Sequence, residues 1–231
     1  MKRVVVYAST RNMYGQTIAS IKSLLEHTRV DRVWMLAEDD RLPIWVPEVV
    51  QCLNVSGQTF FPEDGANAES AWTYMDLIRL ALPQVFQEEH RMLWLDTDVI
   101  VEKDIGPLFD IDLMGNYIAM VKEPARTIWP FTYYNAGVFL MDLDRVRREK
   151  VDLKMIDWIN RNYATAPGQD PLNVFFQGEI LELGPEWNTA GVITQDHPDP
   201  YIRHYAGYLK PAGRDVFRAY GEAEWRVKDA D

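Results

Sequence analysis

"LWLDTDVIV", residues 93–101, is the stretch on which the reading of this chain turns. Met92, Leu93, Trp94 and Leu95 lead into Asp96-Thr97-Asp98, and Val99, Ile100 and Val101 follow. An apolar run of this kind reads as a strand buried on both faces. Two residues apart in extended chain, Asp96 and Asp98 point to the same side. Dry and unpaired, they would cost several kcal/mol, and their repulsion would favour a retained proton on one of them. Two arrangements relieve this. In one, both aspartates cap a turn between two short strands. In the other, Asp96 ends a strand, Asp98 lies in the turn beyond it, and the pair holds a divalent cation, since hard oxygen ligands suit Mg²⁺ or Mn²⁺. Ligands of open α/β sheets bind at such strand ends.

Working outward, residues 3–8 (RVVVYA) read as a first strand, and Tyr14, Ile18, Ile21 and Leu25 recur at helical spacing. Residues 32–36 read as a second strand, so the opening is β–loop–α–β and the sheet is expected to be parallel there. Residues 37–47, with EDDR and two prolines, read as a loop, and 49–55 as a short strand. A helix is expected over 69–82, with Met75, Ile78 and Leu82 on one face. Strands are expected at 117–121 and 137–141, and helices at 152–163 and 171–176. Past Gly184 the chain is rich in Pro, Gly and His and shows little periodicity, so it reads as loop. There is no internal repeat and no low-complexity linker. The expectation is one α/β domain over residues 1–231.

The chain has 231 residues, 47% hydrophobic and 26% charged, enough for a sheet with several helices around it. A net charge of −11 argues against a nucleic-acid backbone as the main partner. It leaves room for a small anion held by local positive groups, or for a cation in an acidic site. Cys52 is the only cysteine, which excludes an intrachain disulfide and a thiolate zinc cluster; a reducing, cytoplasmic compartment is expected. The opening MKRVVVYAST has the superficial look of a signal peptide, but its apolar stretch is short and Arg11 interrupts it. No apolar run of about 18 residues occurs, so no transmembrane anchor is expected. The last twenty residues mix both signs and do not read as a basic membrane-surface helix.

The segment DTDVI also resembles the aspartyl-nucleophile motif of haloacid-dehalogenase-like phosphatases, in which the first Asp attacks phosphorus and the second acts as acid and base. That family places the motif on the first strand of its catalytic core. Here nearly a hundred residues precede it, and no convincing later acidic pair follows.

Four stretches, LWLDTDVIV, YNAGVFLMDL, GQDPLN and HYAGYLKP, fall in the order found in family 8 of the glycosyltransferases. That family includes glycogenin and bacterial lipopolysaccharide glucosyl- and galactosyltransferases. The resemblance runs from VVVYAST to HYAGYLKP. It implies a GT-A fold: α/β, a mixed, mostly parallel sheet with a Rossmann-like nucleotide-binding half (to about residue 102) and an acceptor and sugar half (from about 103). It also implies Mn²⁺ (or Mg²⁺), a UDP-sugar donor such as UDP-glucose or UDP-galactose, and retention of anomeric configuration.

By the same resemblance Asp96 and Asp98, with Thr97 between them, are the metal-binding segment, and His204 is the third protein ligand. A neutral imidazole suits Mn²⁺, and diphosphate oxygens would complete an octahedron. Lys210 would meet the diphosphate and offset charge on the leaving UDP, and Gly207 fits a loop whose backbone approaches phosphate. Ala8, Ser9, Thr10, Asn12 and Tyr14 would hold uridine, the Tyr by stacking; otherwise this is a β–α loop with an N-cap. Arg79 matches a family arginine near the nucleotide and the metal. Asn135, Ala136 and Gly137 resemble a sugar-facing Asn-Ala-Gly, whose amide can donate to and accept from hydroxyls. In Gly168-Gln169-Asp170 the family usually has Asp-Gln-Asp. Gln169 and Asp170 match as catalytic candidates, while Gly168 replaces an Asp that in relatives touches the donor sugar. Gln169 would lie near the anomeric carbon. Trp187 and Asn188 would line the acceptor side, with acceptor loops at 37–68 and 184–201. The acceptor, whether saccharide, glycolipid or protein, is not named by the sequence. Three readings follow: a metal-dependent retaining hexosyltransferase, a phosphatase, or a UDP-sugar-binding domain with little turnover.

Overall fold

β-Branched residues open the chain, and Val4–Ser9 (β1) is the strand they form. Val4 and Val6 pack into one apolar layer, Val5 and Tyr7 into the other, as alternation requires of a strand covered on both faces. After a 3₁₀ turn at Arg11–Met13, Tyr14–His27 (α1) buries Ile18, Ile21, Leu24 and Leu25. It returns the chain so that Arg32–Ala37 (β2) pairs parallel with β1, Val33 opposite Val5. Val50–Asn54 (β3) pairs parallel with β2. The computed structural model describes residues 2–40, 45–70, 73–126 and 128–228, the Tyr208 side chain excepted.

The helix expected over 69–82 is three shorter pieces; residues 71 and 72 lie outside the described residues. Thr73 caps Tyr74–Leu77 (α2), accepting the Met75 N–H at 3.3 Å. The chain then tightens into a 3₁₀ turn at Ile78–Ala81 before Leu82–Val85 (α3). Pro83 explains the change of pitch: it has no N–H to give the Arg79 carbonyl.

Arg91–Leu95 (β4) lies parallel beside β1, Leu93 opposite Val5. Val99–Val101 (β5) leaves the main sheet, and Gly106–Phe109 (α4) follows. Ile118–Lys122 (β6) and Tyr134–Asp142 (β7) match the two later strands expected, the second longer at both ends. Leu143–Glu149 (α5), Val151–Arg161 (α6) and Asp170–Phe175 (α7) precede Ile180–Leu183 (β8). The seven-stranded order is β3-β2-β1-β4-β7-β6-β8. β7 runs antiparallel to both its neighbours, and the other pairings are parallel. The sheet is therefore mixed and mostly parallel, as expected.

Beyond Gly184, where loop was expected, a strand and a long helix form. Ile202–His204 (β9) pairs antiparallel with β5, and Lys210–Glu222 (α8) docks against α1. Gly213 and Gly221 hide α8 from a propensity reading, and tertiary contacts hold it instead. A Cβ at Gly213 would stand 2.7 Å from the Tyr205 ring, so glycine admits that ring, and Phe217 meets it edge-on at 5.6 Å. At the far end the Lys22 ammonium donates to the carbonyls of Gly221 (2.8 Å) and Ala223 (2.6 Å), acceptors that a helix C-terminus leaves without partners. Among the described residues no helix is long and apolar enough to cross a membrane.

Replacing Lys22 with Met keeps the packing and removes this cap. A loss of about 1–2 kcal/mol is expected, read by urea denaturation, with hydrogen exchange accelerated selectively in residues 210–222.

Candidate active site

Asp96 is the first residue past β4, and its position is over-determined. Its N–H donates to the Gly137 carbonyl at 2.8 Å, one step beyond the last β4–β7 pair. The Trp94 indole N–H donates to its Oδ1 at 2.7 Å. The Arg79 Nη2 lies 3.2 Å from the same oxygen and 2.6 Å from Asp76 Oδ1. Arg79 is itself buried, its guanidinium 4.6 Å from the Trp94 ring centre and its Nη1 donating to the Ala136 carbonyl at 2.8 Å. The 3₁₀ turn ahead of Pro83 places Asp76 and Arg79 on one side, where Arg79 Nε also donates to the Asp76 carbonyl at 2.9 Å.

Asp98 starts the β5–β9 ribbon, and the ribbon delivers His204. Val99 pairs with His204, and the Tyr205 N–H donates to the Asp98 carbonyl at 2.8 Å. His204 Nε2 is thereby set 3.1 Å from Asp98 Oδ1 and 3.8 Å from Asp96 Oδ2. The ring's other nitrogen is assigned by a chain of bonds. The Gly137 N–H, necessarily a donor, fixes the Asn135 Oδ1 as its acceptor at 2.9 Å. The Asn188 Nδ2 must then face that oxygen, at 2.8 Å, leaving its Oδ1 to accept from His204 Nδ1–H at 2.9 Å. Nε2 is thus the nitrogen presented to the carboxylates. This is the orientation that a buried partner on the far nitrogen imposes on a ligating histidine. Gly137 is also required sterically: a Cβ there would overlap the imidazole, 2.6 Å from Nδ1.

The three side chains offer ligand atoms that all lie within 4.8 Å of one another. Two carboxylates and an imidazole form a donor set suited to Mn²⁺ or Mg²⁺. The electrostatics agree with a site built for positive charge. Burial disfavours the His204 imidazolium, yet the adjoining Asp98 and Asp96 outweigh it and raise the ring above the ordinary histidine range. Burial likewise works against the Asp98 carboxylate, but His204 and Lys210 hold it below the usual range. Burial pushes the Asp76 carboxyl up, against the pull of Arg79.

A cavity of about 360 Å³ opens on this cluster. Of the residues expected in the site, Ala8, Thr10 and Asn12 line it from the β1 loop, Arg79, Asp96, Thr97 and Asp98 from its floor, and Lys210 from the start of α8. Lys210 is half exposed, its Nζ 3.4 Å from Asp98 Oδ2. Others lie behind the wall. Ser9 is buried and bonds Thr17 Oγ1 at 2.7 Å. Tyr14 is buried in the core on the α1 side, its hydroxyl 3.3 Å from Asp39, rather than free to stack on a base. Asn135 and Gln169 both donate to Glu123 Oε2, at 2.8 and 3.0 Å, and Gln169 Oε1 accepts the Ala136 N–H at 2.8 Å. Asp170 is buried, held by the Tyr133 hydroxyl, by Thr165 Oγ1 at 3.2 Å and by the Ala166 N–H at 3.0 Å. Gly207 has φ +52°, a left-handed turn just before α8.

Asn188, expected on the acceptor side, is fully buried behind His204, because the ring needs its oxygen. Trp187 stacks on Tyr201 at 4.3 Å. The sequence reading missed Asp76, Thr73 and Met75 in the cavity wall and Glu123 behind it. Asp76 carried one signal: a carboxylate one helical turn before Arg79.

A model of glycosyl transferase family 8 matches residues 4–212. The chain is 26% identical over 259 residues to glycosyltransferase GlyE of Streptococcus pneumoniae, covering 98% of this chain and 62% of that protein. It is 26% identical over 246 residues to glycosyltransferase GlyA of the same organism, covering 97% and 34% respectively. The chain therefore spans less than two thirds of these relatives' length. Among solved structures, it superimposes on crystalline GlyE with a TM-score of 0.73 at 22% identity, over 97% of this chain and 61% of that one. It superimposes on the galactosyltransferase LgtC, solved with donor and acceptor sugar analogues, with a TM-score of 0.71 at 19% identity and 98% of both chains. At these identities the likeness is one of fold, the GT-A fold.

Two substitutions test the geometry. Asn188→Ala removes the acceptor that fixes the His204 tautomer, and Mn²⁺ affinity is expected to fall about 10–100-fold in calorimetric titration. Gly137→Ala places a methyl group against the imidazole; lost Mn²⁺ binding and a lower Tm are expected together.

Proposed function

Because the chain belongs to glycosyltransferase family 8, we propose that it moves a hexose, glucose or galactose, from its UDP-sugar to an acceptor hydroxyl with retention of configuration. The observation that carries this reading is the convergence of Asp96, Asp98 and His204, with both aspartates lining a cavity walled by the β1 loop and Lys210 and His204 buried against them. Residues 1–102 then serve the nucleotide and 103–231 the sugar and the acceptor, within one domain.

Asp96, Asp98 and His204 would hold Mn²⁺ or Mg²⁺, which as a Lewis acid offsets the negative charge that builds on a departing diphosphate. Ala8, Thr10 and Asn12 line the side of the cavity where uridine would enter. Lys210, exposed at the cavity mouth and already beside Asp98, supplies an ammonium to the diphosphate. Gln169 is a poor nucleophile, and its carbonyl oxygen is already taken up by the Ala136 N–H. A front-face path is therefore favoured: the bond from the anomeric carbon to the UDP oxygen breaks, the acceptor oxygen bonds from the same side, and the acceptor proton passes to the departing phosphate. The product is α-linked. The loops at 37–68 and 184–201 would select the acceptor, a saccharide, glycolipid or protein. The single cysteine supports a cytoplasmic setting.

A phosphatase would carry its nucleophile on the first strand, whereas Asp96 follows β4. Binding with little turnover is the competing reading, motivated by Gly168 in place of a family aspartate.

A thermal-shift panel of UDP-, GDP- and dTDP-sugars, with and without Mn²⁺, tests the donor. UDP-glucose or UDP-galactose with Mn²⁺ should stabilise the fold, by about 2.7 kcal/mol at a hundredfold excess over Kd, and the other nucleotides should not. Asp98→Asn should lower Mn²⁺-dependent donor hydrolysis by about a hundredfold or more, and NMR of the transferred sugar should show the α-anomer. A β-linked product would refute the front-face path.

A further inference from the structure

Gly168 and Asp76 compete for one volume. A Cβ built on Gly168 would overlap the Asp76 carboxylate, 2.7 Å from its Cγ and 2.7 Å from the Asp76 carbonyl oxygen. The contact is filled productively, because the Gly168 N–H donates to Asp76 Oδ2 at 2.9 Å. The other oxygen takes the Arg79 Nη2 at 2.6 Å. Each oxygen thus has one fixed donor and one remaining acceptor direction, and the side chain keeps 18% of its surface open, on the cavity wall. Of the carboxylates that line the cavity among the described residues, Asp96 and Asp98 belong to the cation cluster. Asp76 alone faces the cavity without being part of it.

We propose that the Asp76 carboxylate, admitted by the missing side chain at Gly168, hydrogen-bonds hydroxyls of the donor hexose and so selects the sugar. The inference rests on the donor reading above, and it gives Gly168 a purpose other than lost activity. The chain supplies the carboxylate from α2 instead of from residue 168. Rigidity favours the role: two donors, the Gly168 N–H and the Arg79 guanidinium, hold the group, so ordering it on binding costs little. A hydroxyl-binding site of this kind rejects a sugar that leaves its acceptor unpaired more strongly than an apolar pocket does.

The test compares binding of UDP, UDP-glucose and UDP-galactose by calorimetry in the presence of Mn²⁺, for the unaltered protein and for Asp76→Asn and Asp76→Ala. In both variants, affinity for the preferred UDP-hexose should fall at least tenfold while affinity for UDP stays within twofold. The preference between the two hexoses should shrink. Asp76→Asn preserves shape, so folding is monitored by its Tm. Unchanged UDP-hexose affinity in the variants would overturn the inference and leave the donor reading intact. Equal weakening of UDP and UDP-hexose would also overturn it, showing that Asp76 acts only by holding Arg79. Failure of the unaltered protein to bind UDP with Mn²⁺ would remove the donor reading, and the inference with it.

Discussion

Placing two carboxylates at the end of a buried strand is the constraint from which the rest of the structure follows. Close together, the Asp96 and Asp98 carboxylates repel each other. The fold surrounds them with positive or donating groups: the Trp94 indole from β4 itself and, from distant parts of the chain, Arg79 from the 3₁₀ turn before α3, His204 from β9 and Lys210 from the start of α8. The last three do not reach the aspartates by local geometry. Each arrives because an element was docked elsewhere, Arg79 on Trp94 and Ala136, His204 on β5. The site is therefore a consequence of tertiary assembly.

Behind the aspartates lies a layer of amides. Glu123 receives Asn135 and Gln169; Asn135 receives the Gly137 N–H and Asn188; Asn188 receives His204. The polarity of the whole series is dictated at one end by a backbone N–H, which cannot be anything but a donor. That single fact propagates through two side-chain amides to decide which imidazole nitrogen is presented to the aspartates. The glycines belong to the same logic. Gly137 and Gly168 are small because a ring and a carboxylate occupy the space where their side chains would be.

The first half of the fold was legible because β1, β2 and β4 are largely apolar and its first helix is periodic: β1, α1, β2 and β4 follow from pattern alone. The aspartate pair was legible for the opposite reason, as charge interrupting an apolar run. Asp76 was not, since nothing in a single sequence says that a helix will tighten ahead of Pro83 and turn a carboxylate towards Gly168. The true place of Asn188 was hidden because its role is defined by a ring sixteen positions away in the chain. Tyr14 has the right type and spacing for a stacking residue, but core packing claimed it. α8 carries two glycines and buries only one of its residues, Gly213, and is held by Lys22 and Tyr205 rather than by its own propensity.

The β5–β9 ribbon carries one more implication. His204 and Asp98 are separated by 106 positions, so an ion gripped by both is a cross-link that fastens a large loop of polypeptide, comparable in kind to a long-range disulfide. Such a closure draws its strength from the disorder it denies the unfolded chain. Ligation would thus fasten β9 and the α8 segment beyond it beside the end of β4, and stripping the ion with a chelator would loosen that segment first, making it the earliest part of the molecule open to proteases.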